Sequence, residues 1–332
     1  MPFTDLPLDR LRTFQTDASA PVDFDAFWKE SLALSYASAG APTVTPVRDP
    51  LLTAVDVADV RFPGWRGQPV AAWLVRPAGA AGPLPTVITY LGYGCGRGLP
   101  TDHLLFPSAG YAQLVVDSRG QGHDTPDQEE GDGPQWVGGF MTRGINDPHH
   151  HYFRRLITDC VLAVDAARAL PYVDTDRIIV QGGSQGGGLA LAVAGLAGDR
   201  VAGVLADVPF LCHFRRGAAI ATEGPYAELV QYLRQHTRDD PERAFGTLDY
   251  FDGLHFAPRA SAPALFSVGL MDPVCPPSTV YAAVNRYAGR AAMKVWPYAD
   301  HGGGQGSMAP EQLRWLRDEG LSPGAERCRA VS

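Results

Sequence analysis

The stretch that decides the fold is Arg177-Ile-Ile-Val-Gln-Gly-Gly-Ser-Gln-Gly-Gly-Gly-Leu-Ala-Leu-Ala-Val-Ala-Gly-Leu196. Its apolar β-branched run at 178–180 predicts a buried strand, and the small residues that end it predict a helix lying close to a sheet. Between them, Gly182-x-Ser184-x-Gly186 has the spacing of a nucleophile elbow, a sharp turn that projects a serine Oγ. The flanking glycines allow this turn because they carry no Cβ. A glycine-rich turn with an ordinary serine is the alternative interpretation.

The bulk composition limits the classes of function. The chain has 332 residues, of which 45% are hydrophobic and 19% charged, as in soluble globular proteins. The formal net charge of −8 argues against nucleic acid or an anionic membrane as a partner, because either would repel the surface. Neutral small molecules are the expected partners.

Two features bear on the compartment. The first ten residues show no basic region followed by an apolar segment, so no secretory signal is visible. The longest apolar stretch, 189–197, is too short to span a bilayer. We therefore expect a cytoplasmic protein.

The sequence gives no strong sign of a metal site. Its five cysteines are odd in number and lack C-x-x-C spacing, which favours neither a disulfide framework nor zinc. The run His149-His-His151 falls at a helix start, where consecutive side chains point in different directions, and no carboxylates or thiolates cluster with it. We interpret it as a solvated helix end and expect neither a metal nor a cofactor.

Strand and helix patterns alternate along the chain. Residues 43–75 alternate polar and β-branched side chains between turn signals, which predicts an antiparallel hairpin region. Further strands are predicted at 85–90, 112–117, 201–208, 264–269 and 293–297, and helices at 23–38, 151–170 and 311–319. This alternation predicts one α/β domain over 1–332, with a mainly parallel sheet covered by helices on both faces.

Several loops follow the predicted strands. The glycine-rich loop 91–98 is the expected source of an oxyanion N–H, with the backbone of Tyr93 as the candidate. A phosphate-binding loop is the alternative, but no Walker Lys-Ser/Thr follows. Arg119 lies in a tight loop after another strand, which suggests an ion pair that braces the site. Residues 125–144 predict a lid or loop, and 210–252 predict a helical insertion over the active site.

An activated serine needs a base and a carboxylate that orients the base. Asp272 follows one late strand and His301 follows the next, which gives the order Ser184, Asp272, His301 found in α/β-hydrolases. Asp207 and Asp300 are competing carboxylates. Asp300 adjoins the histidine in sequence and is poorly placed to orient its ring.

Five motifs in order carry a family resemblance. They are Ser118-Arg-Gly-Gln-Gly122, Gly182-Gly-Ser-Gln-Gly-Gly187, Asp207-Val-Pro-Phe-Leu-Cys212, Phe266-Ser-Val-Gly-Leu-Met-Asp272 and Cys275-Pro-Pro-Ser-Thr279. Together they resemble the acetyl xylan esterase and cephalosporin C deacetylase family, carbohydrate esterase family 7. The resemblance runs from about residue 24 to about residue 316.

The resemblance implies an α/β-hydrolase fold, no cofactor, and deacetylation of small acetylated xylo-oligosaccharides and of cephalosporin C. It implies Ser184 as nucleophile, Asp272 as orienting acid and His301 as base, with an oxyanion hole formed by the backbone N–H groups of Tyr93 and Gln185. Tyr93 is also the expected substrate-binding residue, since its ring would lie beside the acyl group. The family's homo-hexamer, a trimer of dimers with active sites facing an interior cavity, is implied as well. One departure is Gly302, where the family usually has Glu.

Two other functions share parts of this pattern. A serine peptidase of the prolyl-oligopeptidase type has the same elbow and triad order, but it would carry a propeller domain, and no repeats are visible. A non-catalytic hydrolase-like binding protein would be expected to lack a triad member. Turnover of p-nitrophenyl acetate separates the binding protein from the enzymes, and a peptide substrate separates the two enzymes.

Overall fold

The fold is built on one twisted sheet. The computed structural model describes residues 3, 5–47, 51–128, 138–237 and 240–325, and within them nine strands lie in the order β1-β2-β3-β5-β4-β6-β7-β8-β9. The strands are β1 Thr43–Val47, β2 Val55–Pro63, β3 Pro69–Pro77, β4 Leu84–Tyr90, β5 Ala112–Val116, β6 Val173–Gly183, β7 Gly203–Asp207, β8 Ala264–Gly269 and β9 Ala291–Trp296.

The neighbouring pairs β1–β2, β2–β3 and β3–β5 are antiparallel. The pairs β5–β4, β4–β6, β6–β7, β7–β8 and β8–β9 are parallel. The α-helices are α1 Leu8–Leu11, α2 Phe24–Tyr36, α3 Leu105–Ser108, α4 Tyr152–Arg168, α5 Gln185–Ala197, α6 Phe214–Ile220, α7 Gly224–His236, α8 Pro241–Leu248, α9 Gly253–Phe256, α10 Pro277–Val284 and α11 Met308–Asp318. The predicted mainly parallel α/β-hydrolase architecture is confirmed.

The parallel strands are buried on both faces because their side chains alternate between two apolar clusters. One face packs against α2, α4, α5 and α9 through Ile88, Val180, Ala206 and Phe266. The opposite face packs against α3 and α11 through Val87, Ile179, Leu205 and Leu265. Continuous apolar strands are the sequence signature of this two-sided burial.

The carboxyl ends of the parallel strands meet at one edge of the sheet. Ser184 follows β6, Asp272 follows β8 and His301 follows β9, so three distant segments of the chain converge there. The predicted helical insertion lies between β7 and β8 as α6, α7, α8 and α9. It borders the same edge, since the Thr222 N–H donates to the carbonyl of Pro273 at 3.0 Å.

Two predictions about loops have different outcomes. The predicted lid at 125–144 has neither helix nor strand in 125–128 and 138–144, and its centre, 129–137, lies outside the described residues. The interpretation of the histidine run as a solvated helix end holds for His149 and His150, which are exposed, and is wrong for His151, which is fully buried.

His151 is the N-cap of α4. Its Nδ1 accepts the N–H of Phe153 at 3.1 Å, and its Nε2–H donates to the carbonyl of Met141 at 3.1 Å. Burial lowers the pKa of His151 to about 3, so the ring is neutral and serves as a cap.

Across the ranges that the structure describes, no helix is both long enough and apolar enough to cross a lipid bilayer.

Candidate active site

The nucleophile elbow is held in a strained turn. Ser184 has φ +55°, a left-handed conformation that L-residues rarely adopt, and its N–H donates to the carbonyl of Asp207 at 2.9 Å. A Cβ on Gly182 would lie 2.3 Å from the carbonyl carbon of Gly186, and a Cβ on Gly186 would lie 2.2 Å from the carbonyl oxygen of Tyr90. Backbone packs directly on backbone here, so both positions require glycine.

The structure brings the three predicted triad residues together. His301 Nε2 lies 3.0 Å from Ser184 Oγ, and His301 Nδ1 lies 2.8 Å from Asp272 Oδ2. Because a carboxylate only accepts hydrogen bonds, the Nδ1 of His301 carries the proton and its Nε2 accepts from the serine hydroxyl. The arrangement can remove a proton from Ser184 and return it later.

Asp272 is fixed by its own loop. Its side chain is buried, and its Oδ1 accepts the backbone N–H groups of Val274 and Cys275, each at 2.8 Å. Its second oxygen is therefore free to face His301. The loop after β8 orients the carboxylate, and the carboxylate in turn orients the imidazole.

The competing carboxylates have other contacts. Asp300 is exposed, and its Oδ1 accepts the N–H of Gly302 at 2.9 Å. Asp207 Oδ2 accepts from Gln312 Nε2 at 2.5 Å. Neither has a hydrogen bond to His301 among the described residues.

The two predicted oxyanion donors come from separate segments of the chain. Gln185 is the first residue of α5, where backbone N–H groups have no partner within the helix. Tyr93 lies in the loop after β4. Within the described ranges, neither of these N–H groups donates to a protein oxygen, so both are available to a developing oxyanion.

Sequence analysis missed the side chains that hold this loop. Gln121 Oε1 accepts the N–H of Gly94 at 2.6 Å, and Gln121 Nε2 donates to Gln185 Oε1 at 2.8 Å and to Tyr152 Oη at 2.9 Å. Gln185 Nε2 donates to the carbonyl of Leu91 at 3.2 Å. The signal was a polar residue between two glycines at the carboxyl end of β5, beside β4.

Two buried arginines brace the surrounding loops. Arg119 pairs with Asp159 through Nε–Oδ2 at 2.7 Å and Nη2–Oδ1 at 2.9 Å, and both side chains are inaccessible to solvent. The same carboxylate accepts the N–H of Trp65 at 2.7 Å. Arg97 bonds Asp59 and Asp124 at 2.6 and 2.7 Å. The ion pair suggested for Arg119 is present in the structure, and Arg97 is a brace that the sequence did not reveal.

One group of side chains has the composition of a metal site. In the part of the chain that the structure describes, single ligand atoms of Asp272, Cys275 and His301 lie within 4.8 Å of one another, and no other such group is found. Two of these residues already share a hydrogen bond, and burial raises the pKa of the Cys275 thiol. The neutral thiol is a weak metal ligand, so these three residues are poorly suited to hold a metal ion.

Asp207 gives a prediction about pH. Burial raises its pKa to about 7, and its Oδ1 has no partner within the described ranges. The unfolded chain releases this proton near pH 4, whereas the folded chain holds it until pH is about 7. The folded state therefore binds more protons in this window, and stability falls as pH rises through it.

Asp207→Asn removes this titration. Relative to the wild type, we expect the variant to be more stable near pH 8 than near pH 5, with its free energy of unfolding larger by on the order of 3 kcal/mol at the higher pH. Urea unfolding of both proteins at the two pH values measures the difference. A difference that does not change with pH would contradict the assignment.

Comparisons with known proteins agree with this geometry. The acetyl xylan esterase (AXE1) family model matches residues 1–319 of the chain. A solved structure described as acetyl xylan esterase from Paenibacillus sp. R4 is 39% identical, with a TM-score of 0.87 over 94% of this chain and 99% of that one. Acetyl xylan esterase 1 from Thermoanaerobacterium sp. is 32% identical, with a TM-score of 0.85 over the same shares of the two chains.

A curated relative is longer than this chain. It is acetyl esterase Axe7A from Xylanibacter ruminicola, 28% identical over 285 residues. The alignment covers 85% of this chain and 63% of that relative, so this chain corresponds to less than two thirds of its length.

Proposed function

The chain belongs to the acetyl xylan esterase family, and on that premise we propose that it is a serine esterase that removes acetyl groups from small esters. The observation that carries the proposal is the unbroken hydrogen-bond chain from Ser184 through His301 to Asp272. Acetylated xylo-oligosaccharides and the acetoxymethyl ester of cephalosporin C are the proposed substrates. No metal or cofactor takes part in the proposed chemistry.

The first step acylates the enzyme. Ser184 Oγ attacks the carbonyl carbon of the acetyl group while its proton passes to His301 Nε2. The imidazolium that forms is stabilised by the buried Asp272 carboxylate. His301 then gives the proton to the alcohol oxygen, the carbon–oxygen bond breaks, and the acetyl group remains on Ser184 as an ester.

The negative charge in this step develops on the former carbonyl oxygen. The N–H groups of Tyr93 and Gln185 are the proposed donors to it. The strained turn at Ser184 sets the direction of the Gln185 N–H before substrate arrives. One such donor contributes about 10² to 10³ in kcat in comparable hydrolases. The glutamine contacts of the loop support this role because they fix both backbone segments.

Water completes the cycle. His301 takes a proton from a water molecule, the resulting hydroxide attacks the acetyl ester, and a second oxyanion occupies the same hole. The bond between the acetyl carbon and Ser184 Oγ then breaks, Ser184 Oγ takes the proton from His301, and acetic acid leaves the site. Each turnover consumes one water and releases one alcohol and one acetic acid, which ionises to acetate and a proton.

We expect strong selectivity for acetyl over longer acyl chains. The Tyr93 ring lies edge-on to Phe140 and Phe210, with ring centroids 5.6 and 6.3 Å away, and we place this aromatic wall beside the acyl group. Because longer chains must displace packed rings, each lengthening beyond about three carbons should lower kcat/KM by about tenfold or more. The measurement is kcat/KM for p-nitrophenyl acetate, butyrate and octanoate. Faster octanoate hydrolysis would indicate a lipase-like pocket.

The alcohol side is proposed to be open and tolerant. We also propose a homo-hexamer, a trimer of dimers whose interior cavity admits small esters and excludes polymers, as the family resemblance implies. Acetylated xylo-oligosaccharides should therefore be deacetylated faster than polymeric acetylated xylan. A panel of acetylated sugars assayed beside cephalosporin C ranks the substrates.

The same assays distinguish the esterase from two alternative functions. A prolyl-oligopeptidase-like serine peptidase would cleave a proline-containing peptide faster than p-nitrophenyl acetate. A non-catalytic binding protein would turn over neither substrate. The proposal requires rapid acetyl ester hydrolysis with no comparable peptide cleavage.

A further inference from the structure

The hydroxyl of Tyr93 joins three separate parts of the molecule. It donates to Glu228 Oε2 at 2.8 Å, and it accepts the backbone N–H groups of Phe140 at 3.0 Å and Met141 at 3.3 Å. Tyr93 belongs to the loop after β4, residues 140–141 to the loop before α4, and Glu228 to α7 of the insertion. One side chain thus connects the proposed oxyanion loop to both elements that border the site.

The tyrosine ring has little freedom to move. Its hydroxyl has three partners, and its ring lies against Phe140 and Phe210. Burial, together with the charge of Glu228, raises the pKa of Tyr93, so the hydroxyl remains a donor. A side chain fixed at both its ring and its tip also restrains the backbone that carries it.

Glu228 is an unusual residue to find at this place. Its Oε2 accepts from Tyr93, while its Oε1 is buried and has no hydrogen-bond partner in the described parts of the chain. A buried carboxylate oxygen without a partner lowers stability, because its lost hydration is not replaced. A small apolar residue would avoid this cost, which favours a role for the carboxylate beyond packing.

We propose that Glu228 is a positioning residue that acts through Tyr93. By holding the tyrosine hydroxyl, it sets both the direction of the Tyr93 N–H and the position of the ring that limits acyl length. The proposal rests on the esterase function above and extends it, because it assigns acyl selectivity to a contact between the insertion and the oxyanion loop. Glu228 touches no reacting atom in this scheme.

The test compares variants that remove the contact from either side. Glu228→Ala and Tyr93→Phe should each lower kcat for p-nitrophenyl acetate by about tenfold, and each should raise the butyrate-to-acetate ratio of kcat/KM by about tenfold. Glu228→Gln keeps an oxygen that can accept the tyrosine O–H, so its effects on both quantities should be smaller. The double variant Tyr93→Phe/Glu228→Ala should lose no more than the worse single variant, since both changes remove one contact.

The matched control is Glu242→Ala in α8. Glu242 is an exposed glutamate of the same insertion that pairs with Arg215 at 2.8 Å. A merely structural loss in the insertion would lower melting temperature and leave the butyrate-to-acetate ratio unchanged. The ratio is therefore the readout that separates positioning from stability.

The outcomes are separable. If the wild type hydrolyses p-nitrophenyl acetate and the variants keep its butyrate-to-acetate ratio of kcat/KM, the role of Glu228 is overturned. The esterase assignment then stays intact. Additive losses in the double variant, or equal losses in Glu228→Gln and Glu228→Ala, would also overturn it. A wild-type protein with no ester turnover would overturn both proposals.

Discussion

Ser184→Ala is expected to abolish ester hydrolysis while leaving the fold intact. Without Oγ no acetyl-enzyme can form, and kcat for p-nitrophenyl acetate should fall on the order of 10⁴-fold or more. Alanine and serine both carry a Cβ, so the backbone strain at φ +55° is similar for the two residues. Alanine lacks only the side-chain oxygen, so packing at the turn is preserved. Initial rates under saturating substrate give the comparison.

The control for this variant is its unfolding curve. Thermal melting and near-ultraviolet circular dichroism should match those of the wild type, which shows that the loss is chemical. Turnover near the wild-type rate would remove Ser184 from the mechanism and return the elbow to an ordinary glycine-rich turn.

Asp272→Asn should lower kcat by roughly 10³ to 10⁴. An asparagine oxygen can still accept the N–H groups of Val274 and Cys275, which leaves its NH₂ group facing His301 Nδ1. Because this NH₂ group donates to Nδ1, the His301 ring carries its proton on Nε2 instead. A protonated Nε2 cannot accept the hydrogen bond from the Ser184 hydroxyl. The change therefore preserves the loop and disables the base.

Asp300→Asn is the matched control. Asp300 lies beside His301 in sequence and is exposed, and in the described contacts its side chain accepts only the N–H of Gly302. We expect its effect on kcat to stay within about threefold. If Asp300→Asn were severe and Asp272→Asn mild, the assignment of the orienting acid would be reversed.

The sheet and its helices were predictable because apolar periodicity records burial. The parallel strands read as short apolar runs between loops, and α2 presents Phe24, Phe27 and Trp28 at helical spacing, all of them buried. Strand ends shifted by a few residues, as for β9, which begins at Ala291 instead of Met293. Local pattern fixes the type of an element better than its limits.

The three triad residues were predictable for a different reason. Each follows a strand of a parallel sheet, and parallel strands end at one edge, so order along the chain is enough to bring them near each other. Asp272 was preferred over Asp300 as the orienting acid because Asp300 adjoins His301 in sequence, and the structure places Asp272 within hydrogen-bond distance of His301.

Contacts between side chains of distant elements could not be read from the sequence. The amino-acid sequence around Glu228 gives no indication of a contact with Tyr93, which lies 135 positions away along the chain. The buried His151 was misjudged because its partners, Met141 and the stacked ring of Phe251, come from outside its own helix. Such contacts depend on how loops cross the sheet edge, which propensity and periodicity do not encode.

The glycine contacts at the elbow differ in kind from other close glycine contacts in the fold. At Gly203 and Gly217 the atoms that a methyl group would meet belong to the side chains of Leu321 and Tyr226, so a smaller neighbour makes room for it. At Gly182 and Gly186 the obstructing atoms are backbone, which every amino acid carries. Relieving that overlap requires the backbone itself to move. In this chain, a substitution at Gly203 or Gly217 can therefore be suppressed by a smaller neighbouring side chain, whereas a substitution at Gly182 or Gly186 cannot be suppressed in that way.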